Sequence, residues 1–434
     1  MMQKADDWND QISFYRYWQN DRVTEENLTE ICISHCMEQC HGKFHLLLLE
    51  DTTELNLERH RGRITDRAGL GVTGNDHDLG FFCHPTIAVD ASDNSLAGAL
   101  DIHLWCRPEG KAGKRERAYS RQPLEDKESY RWAERAIVAG GRLPEGVRKT
   151  VVQDREGDIY ESFCLLSRAG LDFVVRSHHD RRVEGDISRL SEQLSCMSVS
   201  QEYELEILES KARKSRMAQM EVRYGRVRLR RPSGTVHAEC YPPSLDVYVV
   251  QVREKAGSVP SGEKPVEWIL YTSHLVADAQ DALAIVGYYT KRWIIEELFR
   301  TLKSEGVNYE SSELESGPAL RKLFIMAFLA AIKILQMRQA RSGETSQPAS
   351  LVFSPEQTAC MEDLQIRFEG KTEKQKNPFK KDTLAWAAWT IARLGGWKGY
   401  ASQRPPGVIT FYDGYSRFQG IFDGWMMAKV VYKR

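Results

Sequence analysis

The sequence has no long uninterrupted apolar run and no regular pairing of its cysteines. Its longest apolar stretch, residues 323–335, has about 13 residues and contains Lys333, whereas a membrane-spanning helix needs about 20 apolar residues. We therefore expect a buried helix there and no membrane partner. The nine cysteines are scattered and no secretory signal precedes them, which favours a reducing cytoplasm over a disulfide framework.

The overall charge favours no class of partner, because a formal net charge of −1 is compatible with a basic groove offset by acidic surface elsewhere. Residues 191–263 alternate in polarity and are rich in turns, which predicts a β-rich region with one helix near residues 202–217. Within this region a basic ribbon contains a single acid, Glu221. The ribbon is a candidate contact for nucleic-acid phosphates, although a solvated hairpin would give the same pattern. Its nine cations are Lys211, Arg213, Lys214, Arg216, Arg223, Arg226, Arg228, Arg230 and Arg231.

Three cysteines near the start of the chain, Cys32, Cys36 and Cys40, recur at four-residue intervals with histidines nearby. This spacing is compatible with a zinc cluster. Thiols on one helical face are more often small core residues, and we favour that interpretation.

Two short apolar strands each end in acidic residues. Residues 44–49 (FHLLLL) precede Glu50 and Asp51, and residues 150–153 precede Asp154. A short helix and a further strand at residues 171–177 complete a β-α-β unit. Ligand chemistry gathers at the carboxyl ends of strands in open sheets, so both aspartates are candidate ligands. The alternative for each such Asp is a turn or helix-cap role, which we favour for Asp158.

The remaining patterns predict an α/β fold with a helical C-terminal part. At 434 residues and 41% hydrophobic content, the chain can form one large core with satellites or two to three domains. Further strands are predicted at residues 80–89, 96–106 and 266–273, and helices at 127–138, 317–341, from 355 onward, and at 384–394, where Gly395 and Gly396 stop the last one.

Residues 287–303 (GYYTKRWIIEELFRTLK) read as one helix that concentrates chemistry on one face. At about 3.6 residues per turn, Tyr289, Arg292, Glu296 and Lys303 fall within a sector of roughly 60°. The carboxylate can bind a hard divalent cation while the other groups hold phosphate oxygens. The alternative is an amphipathic surface helix with ordinary ion pairs.

Three carboxylates stand out by position, namely Asp51, Asp154 and Glu296. Like charges repel unless cations neutralise them, and two Mg²⁺ ions about 4 Å apart would do so. Such a pair supports in-line displacement at phosphorus. The sequence thus predicts a metal site, provided that the three side chains converge.

Seven segments in order resemble the bacterial insertion-sequence DDE transposases with the Y-R-E-K signature, of the cut-and-paste kind. The resemblance covers nearly the whole chain. The segments are EDTT at 50–53, KES-x-RW at 127–132, DRE-x-DI at 154–159, FVVRS at 173–177, W-x-L-x-TS at 268–273, YT-x-RW-x-IEE at 289–297 and IARLGG at 391–396.

The resemblance implies a mixed α/β sheet with a ribonuclease-H-like catalytic core. The core would occupy residues 44–190 and 265–310, interrupted by a β-rich basic insertion at 191–264. A short helical segment at 1–43, truncated relative to the family, would precede it. A helical region for dimerisation and DNA binding would follow at 311–434.

The resemblance also implies the chemistry. Asp51, Asp154 and Glu296 would be the catalytic, metal-binding triad for two Mg²⁺ ions, with Mn²⁺ able to substitute. The reaction would comprise nicking, hairpin formation, hairpin opening and strand transfer. Trp268 would stack on a flipped base, although a core tryptophan would look the same. The expected DNA-binding residues are Tyr289, Arg292, Lys303, Arg176, Trp268 and Arg300.

The implied partners are double-stranded DNA, as transposon ends and as target, and a second copy of the chain in a homodimeric synaptic complex. The protein would then be cytoplasmic and associated with the nucleoid when bound to DNA. Because the family's N-terminal end-recognition domain has little room here, two hypotheses stand: an active transposase, or a truncated inhibitor that acts by dimerisation. A third is a ribonuclease-H-like nuclease without transposition.

Overall fold

One mixed sheet of eleven strands forms the centre of the computed structural model, which describes residues 8–110, 121–207, 215–400 and 403–432. The α/β prediction is confirmed. The strands are β1 His45–Glu50, β2 Thr53–Asn56, β3 Gly71–Val72, β4 Leu79–Asp90, β5 Leu96–Trp105, β6 Arg148–Gln153, β7 Asp172–Arg176, β8 Gln201–Ile207, β9 Arg216–Arg230, β10 Ser244–Glu254 and β11 Glu267–Thr272.

The three parallel strands β1, β6 and β7 occupy the middle of this sheet. All four leucines of β1, at positions 46–49, have no exposed surface, because helices or loops cover both faces. On its other side β1 pairs antiparallel with β4, which in turn pairs with β5. The resulting order β5-β4-β1-β6-β7 is the ribonuclease-H-like arrangement that the resemblance implies.

Beyond β7, four antiparallel strands in the order β11-β10-β9-β8 extend the same sheet. The helix predicted near residues 202–217 is wrong wherever that stretch is described, because β8 and the start of β9 lie there. Along β8, Glu202, Glu204 and Glu206 are exposed while the side chains between them turn inward. This period of two is that of a strand, and pairing with β9 overrides the local helix propensity of Glu and Leu.

Helices cover the sheet and form the C-terminal region. They are α1 Trp8–Gln19, α2 Glu25–Gln39, α3 Arg131–Arg142, α4 Tyr160–Arg168, α5 Leu190–Cys196, α6 Ala279–Lys291, α7 Trp293–Lys303, α8 Gly317–Ala340, α9 Pro355–Phe368, α10 Leu384–Leu394 and α11 Val408–Tyr432.

Helix α8 carries the longest apolar stretch and is buried along most of its length, as predicted. It packs against α2, α7, α10, α11 and β5, so it joins the catalytic half of the chain to the C-terminal helices. Lys322 on α8 donates to the carbonyl oxygens of Trp18 and Asn20, which satisfies its buried ammonium. In the part of the chain that the structure describes, no helix is both long and apolar enough to cross a bilayer.

The three N-terminal cysteines are core residues. Cys32, Cys36 and Cys40 are at most 3% exposed. Cys32 packs in the same core as α8, while Cys36 and Cys40 pack on the opposite side with β1 residues. Burial on two different sides of the sheet supports the core interpretation over the zinc cluster.

Helix α10 ends at Leu394, as the two following glycines predict, and Gly396 has a φ of +92°. The chain then returns as α11, which crosses α10 at close range through Gly414. A Cβ atom at Gly414 would lie 1.9 Å from the carbonyl oxygen of Ile391. Only a residue without a side chain permits this crossing.

Gly414→Ala is therefore expected to force α10 and α11 apart and to destabilise the protein by about 1–3 kcal/mol. The measurement is the midpoint of thermal or urea unfolding. Gly420→Ala on the same helix is the matched control, since a Cβ there meets nothing within 4 Å. The control should gain roughly 0.5–1 kcal/mol from helix propensity. Equal effects of the two substitutions would contradict the close crossing.

Candidate active site

The carboxyl ends of β1 and β6 bring two acids to one edge of the sheet. In the parallel register Leu49 lies opposite Val152, so Asp51 and Asp154, two residues further on, follow in corresponding positions. The two strands are also tied by Gln153, whose Nε2 donates to Glu50 at 2.7 Å. The two apolar strands that each precede an aspartate in the sequence therefore bring these aspartates to the same edge of the sheet.

The third acid, Glu296, lies on α7, and here the structure corrects the prediction of one continuous helix over residues 287–303. Helix α6 ends at Lys291 and α7 begins at Trp293. At the junction, Arg292 N–H bonds the carbonyl of Tyr289, and Ile295 N–H bonds that of Arg292. These three-residue spacings tighten the turn relative to an α-helix, which changes the direction in which Arg292 projects.

Arg292 joins two of the three acids. Its Nη1 lies 2.8 Å from Asp51 Oδ2, and its Nη2 donates to Glu296. The guanidinium is only 12% exposed. A planar cation with several donors is suited to hold two carboxylates that come from distant parts of the chain.

The electrostatics of Asp51 show that all three acids influence one another. Burial raises the pKa of Asp51 to about 7, and the negative charges of Asp154 and Glu296 contribute to the increase. The Arg292 charge and the Thr52 N–H act in the opposite direction. The Arg292 charge and the Thr52 N–H therefore offset only part of the free-energy cost of ionising Asp51.

Asp154 also has a local structural role. Its Oδ1 accepts the N–H of Glu156 at 2.8 Å and caps the short turn that follows. Asp154 therefore caps a turn, which was the alternative interpretation of such residues, and its charge also acts on Asp51.

Asp158, in the same motif, is a buried structural residue. Its carboxylate pairs with Arg181 at 2.6 Å and accepts the N–H groups of His178 and His179. The favoured non-catalytic interpretation is supported, but through a buried ion pair and not through a helix cap.

The donor chemistry of the three carboxylates fits Mg²⁺, which prefers hard oxygen ligands. Among the described residues, however, no three or more His, Cys, Asp or Glu side chains form a group that could hold a metal ion as they stand. Arg292 is the counter-charge of Asp51 and Glu296 in this conformation. A bound metal would take over the compensation that the guanidinium supplies.

A buried polar network supports the edge that carries Asp51. Glu50 is fully buried, accepts bonds from Thr86 and Gln153, and has a pKa that burial raises to about 8. On the other side of Asp51, Thr52 Oγ1 lies 2.8 Å from His84 Nδ1 and accepts from Arg131 Nε. The residues on both sides of Asp51 are therefore fixed in place.

Sequence reasoning did not single out His84 or Glu50 as part of the site. The available signal was a histidine inside the apolar strand 80–89 and a glutamate directly before Asp51. Neither pattern reveals that the two side chains lie 3.9 Å apart, because that distance depends on the pairing of β1 with β4.

Two of the predicted DNA-binding residues, Tyr289 and Trp268, form an aromatic pair beside Arg292, whose guanidinium lies 5.8 Å from the centre of the Tyr289 ring. Tyr289 is 5% exposed, and its hydroxyl has no hydrogen-bond partner among the described residues. Its ring lies 5.9 Å from that of Trp268, which is half-buried on β11. Arg176 on β7 pairs in register with Leu270 of β11 and donates to the carbonyl of Glu267.

The other two predicted contacts lie further along α7. Lys303, at its end, has its Nζ 4.0 Å from Glu310. Arg300 is exposed. Both side chains are on the helix that carries Glu296, but neither bonds to the three acids.

Several arginines of the basic ribbon form ion pairs where the ribbon is described, and its expected role as a phosphate contact stays a prediction. Arg216 pairs with Glu254 and Glu263, and Arg223 pairs with Glu221. The pairing of β9 with β10 brings Glu254 to Arg216, whereas Glu221 lies on β9 itself, two residues from Arg223. Further pairs join Arg226 to Asp246 and Arg228 to Asp246 and Glu184, while Lys211, Arg213 and Lys214 lie outside the described residues.

The site thus combines a mixed sheet with a ribonuclease-H-like strand order, two acids at its central strand ends and a third acid on a later helix. Residues 149–332 match the family model of the transposase DDE domain. The match covers less than half of the chain and shows that this part is similar to transposase DDE domains. The matched range contains Asp154 and Glu296, and Asp51 precedes it.

The pKa of Asp51 generates a stability prediction. Because its folded-state pKa of about 7 exceeds the ordinary value of 3.8, the protonated group favours folding. That contribution is present at low pH and is lost as pH rises through about 7. In the presence of EDTA at pH 8, the free energy of unfolding of Asp51→Asn should therefore exceed that of the wild type by about 1–3 kcal/mol. Thermal unfolding measures this as a higher melting temperature. The advantage should shrink at pH 5.

Asp158→Asn is the matched control, because it removes a buried partner of Arg181 and should destabilise the protein by about 3–5 kcal/mol. A lower melting temperature for Asp51→Asn than for the wild type at pH 8 would contradict the prediction.

Proposed function

We propose that the protein is a DDE transposase of the Y-R-E-K kind, which cuts DNA at the ends of an element and joins those ends to target DNA. The observation that carries this proposal is the bridge from Arg292 to Asp51 and Glu296, beside Asp154. Asp51 at a strand end and Glu296 on a distant helix both bind one buried cation, and the charge of Asp154 acts on Asp51, which supports a site for positively charged ligands.

In the proposal Asp51, Asp154 and Glu296 hold two Mg²⁺ ions, for which Mn²⁺ can substitute. When bound, the ions supply activation of a water or 3′-hydroxyl and stabilisation of the leaving oxygen. The protein contributes the rigid placement of the acids. Thr52 and Glu50, fixed by His84, Thr86 and Gln153, prevent Asp51 from turning away from the strand end.

DNA phosphates are held by the cations around the acids. Arg292 bonds to two of the acids, Lys303 and Arg300 lie further along the helix that carries Glu296, and Arg176 lies on β7, which pairs with the strand that precedes Asp154. Trp268 offers its half-buried indole for stacking on a flipped base, and a change of conformation that exposes the buried, unpaired hydroxyl of Tyr289 would let it bind a phosphate oxygen. The proximity of Trp268, Tyr289 and Arg292 supports this assignment.

The proposed reaction has four phosphoryl-transfer steps at one site. Water attacks the phosphorus at the element's end and the 3′-oxygen leaves with a proton. The freed 3′-hydroxyl attacks the opposite strand, which forms a hairpin and releases the flanking DNA. Water then opens the hairpin, and the regenerated 3′-hydroxyl attacks target DNA. Each step breaks one P–O ester bond and forms either a new P–O ester bond or, with water, a P–OH group. No oxidant or nucleotide is therefore required.

A homodimer would pair two DNA ends through the C-terminal helix. Near its end, α11 exposes Met427, Val430 and Val431 at 71%, 63% and 68%. Met427 and Val431 are four residues apart and share a face of the helix. Two copies that cover this face would bury apolar surface that a monomer leaves in water. The truncated-inhibitor alternative uses the same surface without cutting.

The triad predicts the outcome of a cleavage assay. With a duplex that carries the inverted repeats flanking the gene, the wild type should give Mg²⁺-dependent nicks and hairpins. Asp154→Asn should lower the rate by more than about 100-fold, because it removes a ligand charge while the turn it caps can persist. DNA binding by this variant should remain. Glu145→Gln, an exposed acid before β6, is the control and should cut normally.

The alternatives give different products in the same assay. Cleavage at the wild-type rate by Asp154→Asn would contradict the triad. A wild type that never cuts but inactivates a full-length partner in mixed dimers is the inhibitor. Cleavage without hairpin or strand-transfer products identifies a simple nuclease.

The dimer predicts an effect of charge at the end of α11. Met427→Lys with Val431→Lys should weaken self-association more than about 10-fold, since two like charges would meet their symmetry-related copies. Light scattering after size exclusion, with DNA ends present, measures the association. Ile366→Lys on α9, where the native side chain is 77% exposed, is the control and should leave it unchanged. An unaltered dimer in the double variant would exclude this surface.

A further inference from the structure

A cavity of about 670 Å³ lies beside the active site, where the ends of three helices meet. Its walls come from the last turns of α7, the end of α8 and the start of α11. Arg341 fixes one wall, because its Nη1 donates to the carbonyl of Pro406 at 2.7 Å. The cavity is thus bounded by ordered backbone and does not depend on a single flexible side chain.

The lining is strongly basic. Four guanidinium groups, those of Arg300, Arg338, Arg341 and Arg404, face two carboxylates, those of Glu297 and Glu305. Arg338 pairs with Glu297. Arg300 and Arg404 are exposed, and neither side chain forms a hydrogen bond or an ion pair with another described residue.

The guanidinium groups are close enough to repel one another. Burial lowers the pKa of Arg341, and the positive charges of Arg338 and Arg404 lower it further. Cations grouped around one cavity create a positive potential that a bound anion would relieve.

The start of α11 adds backbone donors to the same cavity. Phe411 N–H bonds the carbonyl of Gly407, so Gly407 is the residue at the helix cap and has no side chain to accept the first free N–H groups. Val408, Ile409 and Thr410, which carry those groups, line the cavity. Helix N-termini of this kind favour phosphate oxygens.

The position of the cavity relates it to the acids. Arg300 lies one helical turn beyond Glu296 on α7, so the catalytic helix itself connects the acidic site to the basic cavity. A polymer of phosphates that passes Glu296 would meet Arg300 and then the other arginines.

We propose that this cavity binds backbone phosphates of the same duplex DNA whose scissile phosphate lies at Asp51, Asp154 and Glu296. The inference rests on the proposed function for its ligand. It assigns a DNA-holding role to Arg338, Arg341 and Arg404, which lie outside the catalytic surface. Since each neutralised phosphate releases condensed counterions, the site contributes to affinity and to its salt dependence, and not to base recognition.

The test compares Arg404→Ala and Arg404→Glu with the wild type in duplex DNA binding from 50 to 300 mM KCl. The slope of log K against log salt should become shallower by about 0.9 for each phosphate that the variant no longer neutralises. Affinity at low salt should decrease several-fold for Ala and more for Glu. Arg367→Ala, an exposed arginine on α9 outside the cavity, is the matched control and should leave the slope unaltered.

A second arm uses inorganic phosphate alone, with melting temperature as the readout. If phosphate stabilises the wild type but not Arg404→Ala while the DNA slopes coincide, the cavity takes a free anion and the DNA assignment is overturned. An unchanged slope with normal cleavage overturns the inference and leaves the proposed function standing. A shallower slope for the Arg404 variants, together with no cleavage by the wild type, supports the inference and contradicts the proposed catalysis.

Discussion

The repulsion between acids at the end of the central strands is the constraint on which the site depends. Burial is the largest cause that raises the pKa of Asp51 to about 7, and the negative charges of Asp154 and Glu296 add to it. Arg292 offsets this repulsion by bonding to Asp51 and Glu296 at once. The break between α6 and α7 belongs to the same arrangement, because the tighter turn sets the direction of the guanidinium. Charge compensation and backbone geometry therefore have to be understood together.

The fold makes that arrangement rigid. Parallel strands buried on both faces fix the register of the acids, and Glu50, Thr52 and His84 hold the backbone around Asp51. Helix α8 then connects the site to the C-terminal helices. Helices α10 and α11 cross closely at Gly414, and the start of α11 forms one wall of the basic cavity. The acidic site and the basic cavity share α7, so one helix positions both the proposed chemistry and the proposed grip on DNA.

Much of the fold was predictable from local pattern. The continuous apolar runs before Asp51 and Asp154 predicted buried strands, and the glycine pair after Leu394 predicted a helix end. The expected helix near 202–217 was wrong, since glutamates and leucines favour helices locally while pairing with β9 decides the outcome. Some ion pairs of the basic ribbon were unpredictable for a similar reason: Glu254 and Asp246, which pair with Arg216 and Arg226, lie elsewhere in the sequence and reach them through the pairing of β9 with β10.

The sequence by itself determined which residue types stand at strand ends and on the catalytic helix, because hydrophobic periodicity and turn residues act over a few neighbouring positions. Tertiary structure alone decided that Arg292 bridges two acids, that His84 supports Thr52 and that four arginines line one cavity. These contacts join segments that are far apart along the chain. Their distances follow from sheet register and helix packing, which no local pattern records.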